Sequence, residues 1–322
     1  MGFLYSQLVT SLPYPKGSYV GKTVVVTGSN VGLGKEAARH FARLGAQRII
    51  LAVRNVEKGQ AAAEDILRTT RRDNEKDFIQ VWKLDMSSYD SVQRFAKRAE
   101  SDLPRIDIFI ANAGVAPVKF TRVEGEEEMI TVNVISTFLL SLLMMPKLEE
   151  TARKFGVKPT LTITSSEVHG HTTFPQKSAA EGQIFKSLND EATADMDDRY
   201  PVSKLLEVFG VRAFAERHPA HAFPVTLNCV NPGLCHSELS RHAGFAMTVI
   251  KTILARSTEQ GSRTLVHAAS LGPESHGHYV TDCQITLPSP FVMSAEGRQA
   301  QDRVWDELMQ KLEKIHPGIS KI

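Results

Sequence analysis

The chain has 322 residues, 42% hydrophobic and 23% charged, which is enough to bury a large core and shows no mark of disorder or of a membrane bundle. Its 38 Lys and Arg residues nearly balance 36 Asp and Glu residues, for a formal net charge of +2, and the scattered basic residues argue against a nucleic-acid partner. The three cysteines lack the spacing of a zinc site or a disulfide framework, so we expect reduced thiols, no metal and a cytoplasmic protein.

Residues 1–20 are predicted to form an apolar arm ahead of one domain at 21–322. The segment MGFLYSQLVTSLPYP has no cationic stretch before its apolar residues, so it does not indicate a signal peptide. Gly2 and Ser6 match an N-terminal acylation pattern, although the bulky Phe3 argues against acylation. An arm that packs on the domain and an arm that touches a membrane surface stay open as alternatives.

Short β-branched runs alternate with longer helical stretches from residue 22 onward. This alternation predicts an α/β fold with a single doubly wound parallel sheet and helices on both faces. Helices are predicted at Gly34 to Leu44 and Ser91 to Ala99 from apolar residues three and four apart. The predicted strands are Lys22 to Thr27, Arg48 to Val53, Phe78 to Leu84, Ile106 to Ala111, Thr160 to Thr164, Val225 to Val230 and His278 to Thr281.

Three further segments bear on the architecture. Glu126 to Glu150 contains the very apolar run VISTFLLSLLMM and predicts a helix buried inside the protein rather than a membrane span. Gly170 to Arg199 is a polar insertion, for which a functional lid and a disordered surface are equally good interpretations. His242 to Ser257 predicts a short helix near a cleft, and the chain ends in a predicted helix.

A glycine-rich turn follows the first predicted strand and opens a helix: Thr27-Gly28-Ser29-Asn30-Val31-Gly32-Leu33-Gly34. Glycine lets backbone N–H groups approach a pyrophosphate, and the helix N-terminus adds partial positive charge. Strand, turn and helix in the first βαβ unit are the context that indicates a dinucleotide site. We assign to it Gly28, Asn30, Gly32, Leu33, Gly34 and Lys35.

The end of the second strand predicts which nicotinamide cofactor binds. NAD-selective sites carry an acidic residue about twenty positions beyond the glycines, where it bonds the ribose and repels a 2′-phosphate. Here that position is Arg54, and the next acid is Glu57. A guanidinium can donate two parallel bonds to a phosphate, so the sequence predicts NADP(H). Asn30 and Lys35 are expected to reinforce the contact; an arginine merely solvated at a strand end is the alternative.

Further motifs follow in chain order, and together they resemble the short-chain dehydrogenase/reductase family over about residues 20 to 285. They are the G-x-x-x-G-x-G spacing, Asp85, Asn112-Ala113-Gly114, Asn133, Ser166, Tyr200-Pro201-Val202-Ser203-Lys204 and Asn231-Pro232-Gly233. The strings TGSNVGLGKEAARHFARLGA, LAVRN and ITSSEVHG are similar to the retinol-dehydrogenase-like branch, and the MGFLYSQL start is similar to fungal reductases of secondary metabolism.

The resemblance implies a Rossmann-type catalytic domain that transfers a hydride between nicotinamide and a carbonyl or alcohol. It implies an adenine contact from Asp85 and a bond from Lys204 to the nicotinamide ribose. The remaining cofactor contacts that it implies are Asn112, Tyr200, Pro232, Gly233 and Ser237, the last in place of the family's usual threonine. The spacing between Ser166 and Tyr200 is longer than in shorter members, and Ala111 stands where a second asparagine is often found.

Tyr200 and Lys204 are the predicted catalytic pair. Four residues apart on a helix, they project from one face. A phenol titrates near ~10, and a nearby cation favours the phenolate, so Lys204 with the oxidised nicotinamide should lower the Tyr200 pKa. Tyr200 would then act as general acid for carbonyl reduction and general base for alcohol oxidation.

Ser166, Asn133 and His169 complete the candidate set. Ser166 is predicted to donate to the substrate oxygen as charge builds there, while Ser165 points to the opposite side of the strand and is the competing choice. Asn133 is polar within an apolar run and needs partners; the family gives it a water-mediated link to the lysine. His169 follows Ser166, but without a nucleophile elbow it favours a structural role over hydrolase chemistry.

The sequence therefore predicts an NADP-dependent oxidoreductase (EC 1.1.1.-) acting on an apolar small molecule of polyketide, terpenoid or retinoid type. A non-catalytic NADP-binding scaffold on the same fold is the alternative, and the presence of Ser166, Tyr200 and Lys204 argues against it. Self-association is left open, and substrate identity lies beyond what a fold implies.

Overall fold

A parallel β-sheet forms the centre of the computed structural model, which describes residues 3–72, 78–236 and 254–321. Within these ranges eight strands are ordered β10-β9-β8-β7-β4-β1-β2-β3, all parallel except β10, which pairs antiparallel with β9. A separate hairpin joins β5 to β6. The strands are β1 (Thr23–Thr27), β2 (Arg48–Val53), β3 (Ile79–Lys83), β4 (Ile108–Ala111), β5 (Arg122–Val123), β6 (Glu126–Glu127), β7 (Thr160–Thr164), β8 (Thr226–Asn231), β9 (Tyr279–Thr281) and β10 (Gln284–Thr286).

Helices cover both faces of the sheet, so the predicted doubly wound α/β fold is confirmed. The described helices are α1 (Phe3–Leu8), α2 (Gly32–Arg43), α3 (Val56–Thr70), α4 (Tyr89–Asp102), α5 (Thr137–Phe155), α6 (Ile184–Leu188), α7 (Met196–Arg217), α8 (Thr258–Ser270), α9 (Pro290–Met293) and α10 (Ala295–Ile315), with a π-helical segment at Ile130–Ser136. Short 3₁₀ turns lie at Glu167–Gly170, Pro175–Ser178, Glu191–Thr193, Pro273–Ser275 and Ile319–Lys321.

Alternation along the strands divides the core in two. In β1, Val24 and Val26 pack with helices α2, α3 and α8 on one face, whereas Val25 packs with α4, α5, α7 and α10 on the other. This is the period of two expected for a strand buried on both sides. All seven predicted strands are present, with ends that differ by two residues at most.

The strand order reverses beside β1. From β1 the chain proceeds outward through β2 and β3, whereas β4, β7 and β8 lie on the opposite side. In open α/β sheets the crevice beyond the carboxyl ends at such a reversal is where ligands bind. The glycine turn after β1 and the loop after β4 meet at this crevice.

The long apolar helix differs from its predicted bounds. Glu126 belongs to the hairpin instead of the helix, because Glu124 and Gly125 both have positive φ, 53° and 81°, as a tight two-residue hairpin turn requires. The Glu127 carboxylate then accepts bonds from the N–H groups of Met129 and Ile130. The helical stretch runs to Phe155, where Gly156, with φ of 62°, ends it.

This stretch is also the one helical segment, within the part of the chain described, with the length and composition to cross a membrane. In the structure 89% of its most apolar 18-residue stretch is buried. It is enclosed between the sheet and α4, α7 and α10, which is the position predicted from the sequence.

The insertion between β7 and α7 is ordered and packs on the C-terminal helix. The carboxylate of Glu307 accepts bonds from the N–H groups of Ile184 and Phe185, and Arg303 donates to the carbonyls of Lys177, Ala179 and Ala180. Since Ile184 and Phe185 are fully buried, the interpretation as a disordered surface is wrong.

The N-terminal arm packs on the protein through part of its length. Leu12 and Tyr19 are buried, and the Tyr14 ring lies 3.7 Å from the Arg43 guanidinium. The Ser6 carbonyl accepts a bond from Arg256 at 2.6 Å. Four apolar side chains of the arm remain exposed: Leu4, Tyr5, Leu8 and Val9.

Candidate active site

The glycine turn after β1 is held tightly against the loop after β4. The Thr27 hydroxyl accepts bonds from the N–H groups of Asn112 and Ala113, each at 2.9 Å. A Cβ on Gly28, whose φ is 64°, would lie 2.9 Å from the Ala113 Cα, and one on Gly34 would lie 2.6 Å from the Asn112 Nδ2. Only glycine permits this approach, so the turn and Asn112 form one compact unit.

The outer side of the turn is open and has the features of an anion site. Gly32 has φ of 62°, and no described atom lies within 4 Å of the place where its Cβ would be. Val31 precedes α2 and forms no side-chain cap, so the first N–H groups of a 12-residue helix are left for a ligand. Asn30 is half-buried beside them. These residues fit a dinucleotide pyrophosphate.

The side chains of two residues assigned to the same site are directed elsewhere. The Lys35 ammonium forms an ion pair with Asp65 at 2.7 Å, and Asp65 also binds Arg39. Lys35, followed by Arg39, lowers the pKa of the Asp65 carboxyl far below its usual value. Leu33 packs against α8, near Gly261. Lys35 would have to leave Asp65 before it could contact a phosphate.

Arg54 and Asp85 lie just after β2 and β3. Arg54 is exposed, and no described residue forms a hydrogen bond or ion pair with its guanidinium. Its carbonyl accepts a bond from Lys83, a second cation beside this strand end. Asp85 is half-buried, and its Oδ1 accepts bonds from the N–H and the hydroxyl of Ser87 at 3.0 and 2.6 Å.

Tyr200 and Lys204 lie on one face of α7, as predicted. The Lys204 Nζ is 5.6 Å from the centroid of the Tyr200 ring. Lys204 is 5% exposed, and its ammonium donates to the Thr164 carbonyl at 3.0 Å and to the Glu207 carboxylate at 2.7 Å. β7 and α7 thus hold the lysine from two sides.

The surrounding protein groups shift the pKa of both members of the pair. Burial raises the pKa of the Tyr200 phenol; Lys204 lowers it, as predicted, but Glu207 raises it again, and the net shift is upward. Burial lowers the pKa of Lys204, but Glu207 and Tyr200 outweigh that effect and raise it. Tyr200 therefore holds its proton firmly, and Lys204 stays charged.

Asn133 is completely buried in the π-helical segment. Its Oδ1 accepts a bond from the Val115 N–H and its Nδ2 donates to the Val115 carbonyl, both at 2.9 Å. Nδ2 also contacts the Ser203 hydroxyl at 3.0 Å, which itself donates to the Tyr200 carbonyl. The asparagine therefore connects the loop after β4 with the helix that carries Tyr200.

The two serines after β7 face different surroundings. Ser165 is buried, and its hydroxyl donates to the Lys204 carbonyl at 3.1 Å. Ser166 is half-buried, and its hydroxyl accepts a long bond of 3.4 Å from the Val168 N–H. Ser166 is therefore the serine whose hydroxyl hydrogen has no acceptor among the described residues.

His169 supports the Ser166 loop. The Ser289 N–H donates to Nε2 at 3.0 Å, so Nδ1 carries the hydrogen and donates to the Ser166 carbonyl at 2.7 Å. Burial lowers the pKa of this imidazole. The structural interpretation of His169 agrees with these contacts.

Relatives of the chain decide the family. A family model described as short chain dehydrogenase matches residues 22–177. The short chain dehydrogenase/reductase dmxR8 of Cryptosporiopsis sp. is 63% identical over 324 residues, which cover 99% of each chain. The chain is a short-chain dehydrogenase/reductase. The short-chain dehydrogenase anuD of Penicillium roqueforti is 41% identical, over 99% of this chain and 84% of its own, so the predicted likeness to fungal members of the family is confirmed.

Solved structures support the fold of this short-chain dehydrogenase/reductase. A protein from Mycobacterium paratuberculosis has a TM-score of 0.69 at 24% identity, over 92% of this chain and 95% of its own. A short chain dehydrogenase from Escherichia coli CFT073, complexed with NADPH, has a TM-score of 0.60 at 23% identity, over 83% and 99% of the two chains.

The predicted cofactor residues after β8 are described only in part. Pro232 is buried after β8, and Gly233 has φ of 77° and donates its N–H to the Asn231 side chain. Ser237, and residues 242–253 of the segment His242 to Ser257, lie outside the described residues. Sequence reasoning missed Glu207, which its i+3 spacing from Lys204 on one helix could have revealed.

Proposed function

We propose that this dehydrogenase/reductase transfers a hydride between NADP(H) and a carbonyl or alcohol group of a small apolar molecule (EC 1.1.1.-). The observation that supports the proposal is that Lys204, 5.6 Å from the Tyr200 ring, bonds the last residue of β7, that Asn133 bonds the helix of that pair through Ser203, and that Ser166 follows β7 directly. The same edge of the sheet carries the glycine turn that fits a dinucleotide.

Each of these side chains has a chemical task in the proposal. Tyr200 gives its proton to the substrate oxygen, and Ser166 donates a hydrogen bond to the same oxygen as negative charge builds on it. Lys204 holds a fixed positive charge near the phenol and bonds the ribose, and Asn133 holds the Tyr200 helix in register with the loop after β4. When bound, the nicotinamide supplies or accepts the hydride.

Reduction is the direction we propose, on the premise that NADPH is the form that the cell supplies. Burial, reinforced by Glu207, raises the pKa of Tyr200, so the phenol carries the proton that reduction transfers. Oxidation would use the same groups in reverse, with the phenolate as the base. The expected preference for NADPH, the reduced form, agrees with this direction.

The cofactor preference rests on Arg54. Its exposed guanidinium beside the turn is available to a 2′-phosphate, and Lys83 adds positive charge nearby. Gly28, Gly32 and Gly34 would hold the pyrophosphate, with Asn112, Pro232 and Gly233 around the nicotinamide half and Asp85 at the adenine. The neighbour of the same fold that was solved with NADPH supports this choice.

The substrate class is inferred from sequence similarity to the fungal relatives. Fungal relatives and the fungal type of N-terminus support a role in secondary metabolism, with an apolar ketone, aldehyde or alcohol of polyketide, terpenoid or retinoid type. Cys229, Cys235 and Cys283 are all buried, and no disulfide joins any two of them, which fits a reducing compartment such as the cytoplasm.

The test is NADPH oxidation with a panel of apolar carbonyl compounds, using Tyr200→Phe and a control, Tyr89→Phe, which removes a phenol hydroxyl outside the site. Tyr200→Phe should bind NADPH like the wild type and lose about 10²–10⁴-fold in turnover, since the ring remains while the proton is lost. Tyr89→Phe should keep its turnover. NADPH binding without turnover of any carbonyl would favour the scaffold alternative, and undiminished turnover by Tyr200→Phe would remove Tyr200 as the acid.

A further inference from the structure

A second ionisable group lies behind the proposed catalytic lysine. Glu207 is one turn beyond Lys204 on α7 and is 2% exposed. Its Oε1 lies 2.7 Å from the Lys204 Nζ, and its Oε2 has no hydrogen-bond partner among the described residues. A carboxylate buried in this way is costly unless a cation compensates it, so the two side chains act as one unit.

The contact determines where the ammonium can point. Lys204 has three N–H donors and no acceptor. One donates to the Thr164 carbonyl and one to the Glu207 carboxylate, so a single donor remains for the side of the helix that carries Tyr200. Without Glu207 the flexible lysine side chain would lose one of the two contacts that orient it.

Charge on Glu207 also reaches the phenol. Among the described residues, the titratable groups that respond to Glu207 are Lys204 and Tyr200 on its own helix and Cys229 on β8. A negative charge on Glu207 raises the pKa of Tyr200, Lys204 and Cys229. Burial raises the pKa of Glu207 itself, against the opposing effect of Lys204.

We propose that Glu207 is a positioning residue for the proposed hydride-transfer reaction: it orients the Lys204 ammonium and sets the charge that the Tyr200 phenol experiences. The assignment rests on the proposed function for its catalytic meaning. The contact itself and its effect on the phenol do not depend on which substrate is used.

The test compares Glu207→Gln with Glu216→Gln. Glutamine keeps an acceptor for Lys204 but carries no charge. Glu216 is the control, because it lies on the same helix, undergoes the same chemical change and forms its ion pair with Arg298 instead of Lys204. In alcohol oxidation with NADP, the rate rises with pH as Tyr200 loses its proton. Loss of the Glu207 anion should move that midpoint down by about one pH unit. Glu216→Gln should keep the wild-type profile.

A second readout does not require turnover. The difference in tyrosinate absorbance between the wild type and Tyr200→Phe reports the titration of Tyr200 alone. The same difference measured in the Glu207→Gln background should show the same downward shift. If the wild type turns over no carbonyl or alcohol, the proposed function fails while this titration still tests Glu207.

A third variant keeps the proposal testable if glutamine is not tolerated. Glu207→Asp retains the charge but withdraws it from Lys204, so it should keep a Tyr200 midpoint near that of the wild type and raise the KM for the cofactor more than it lowers kcat. Unchanged Tyr200 titration in Glu207→Gln would overturn the proposal. So would loss of the wild-type melting transition in both variants, because the pair would then be structural.

Discussion

Replacing Arg54 with alanine should weaken NADPH binding and leave NADH binding almost unchanged. The Gly28 N–H donates to the Ala52 carbonyl at 2.9 Å, so the end of β2 lies against the glycine turn and Arg54 is two residues beyond the contact. No described residue forms a hydrogen bond or ion pair with its guanidinium, so the substitution breaks no internal contact and should not alter folding.

The size of the effect follows from the exposure of the site. A hydrogen bond to a charged partner contributes roughly 1.5–3 kcal/mol, and solvent around an exposed guanidinium favours the lower end of that range. Since about 1.4 kcal/mol corresponds to tenfold in affinity, Arg54→Ala should raise the Kd for NADPH about tenfold. Lys83, close to the same strand end, would retain part of the attraction.

The assay is a fluorescence titration of the wild type and Arg54→Ala with NADPH and with NADH. Arg94→Ala is the matched control, because Arg94 is also exposed, on α4, and pairs only with Asp90 among the described residues. Equal losses for both cofactors, or a wild type that prefers NADH, would refute the assignment of Arg54 to the phosphate.

Two other substitutions test the turn and the loop behind Ser166. Gly34→Ala would put a Cβ 2.6 Å from the Asn112 Nδ2 and 2.7 Å from the Gly28 carbonyl oxygen, so we expect a lower melting temperature and loss of NADPH binding; a wild-type affinity would show that the turn can widen. Burial lowers the pKa of His169, so the unfolded chain binds the extra proton first and the free energy of unfolding falls as pH drops below about 6.5. His169→Gln should reduce this acid sensitivity in melts between about pH 5 and 8, other buried histidines supplying the remainder, and an unchanged slope would contradict the neutral tautomer assigned here.

The strands and the helical stretches between them were predictable because their causes are local. β-branched runs such as Thr23–Thr27 specify extended chain, and a glycine turn that opens a helix has a backbone requirement readable from residue types alone. The bounds of the long helix were harder to predict, because the hairpin before it depends on a positive φ at Glu124. Glutamate is not a residue type that indicates a left-handed conformation.

The candidate site divides in the same way. A spacing of four places Tyr200 and Lys204 on one face of any helix, so that pair could be recognised without a structure. Which partners the lysine contacts depends on how α7 packs on β7, and the ion pair of Lys35 with Asp65 joins residues of α2 and α3 that are thirty positions apart in the sequence.

The sequence by itself determined the sheet, the turn and the identity of the reacting side chains, since each follows from backbone preference or helical spacing within one element. Only the tertiary structure decided that the Ser165 hydroxyl donates to the Lys204 carbonyl, while the Ser166 hydroxyl hydrogen has no acceptor among the described residues. It also decided that Glu207 is buried against the lysine and that the pKa of Tyr200 is raised. The physical reason is that exclusion of water and the meeting of charges from separate elements exist only once those elements have packed together.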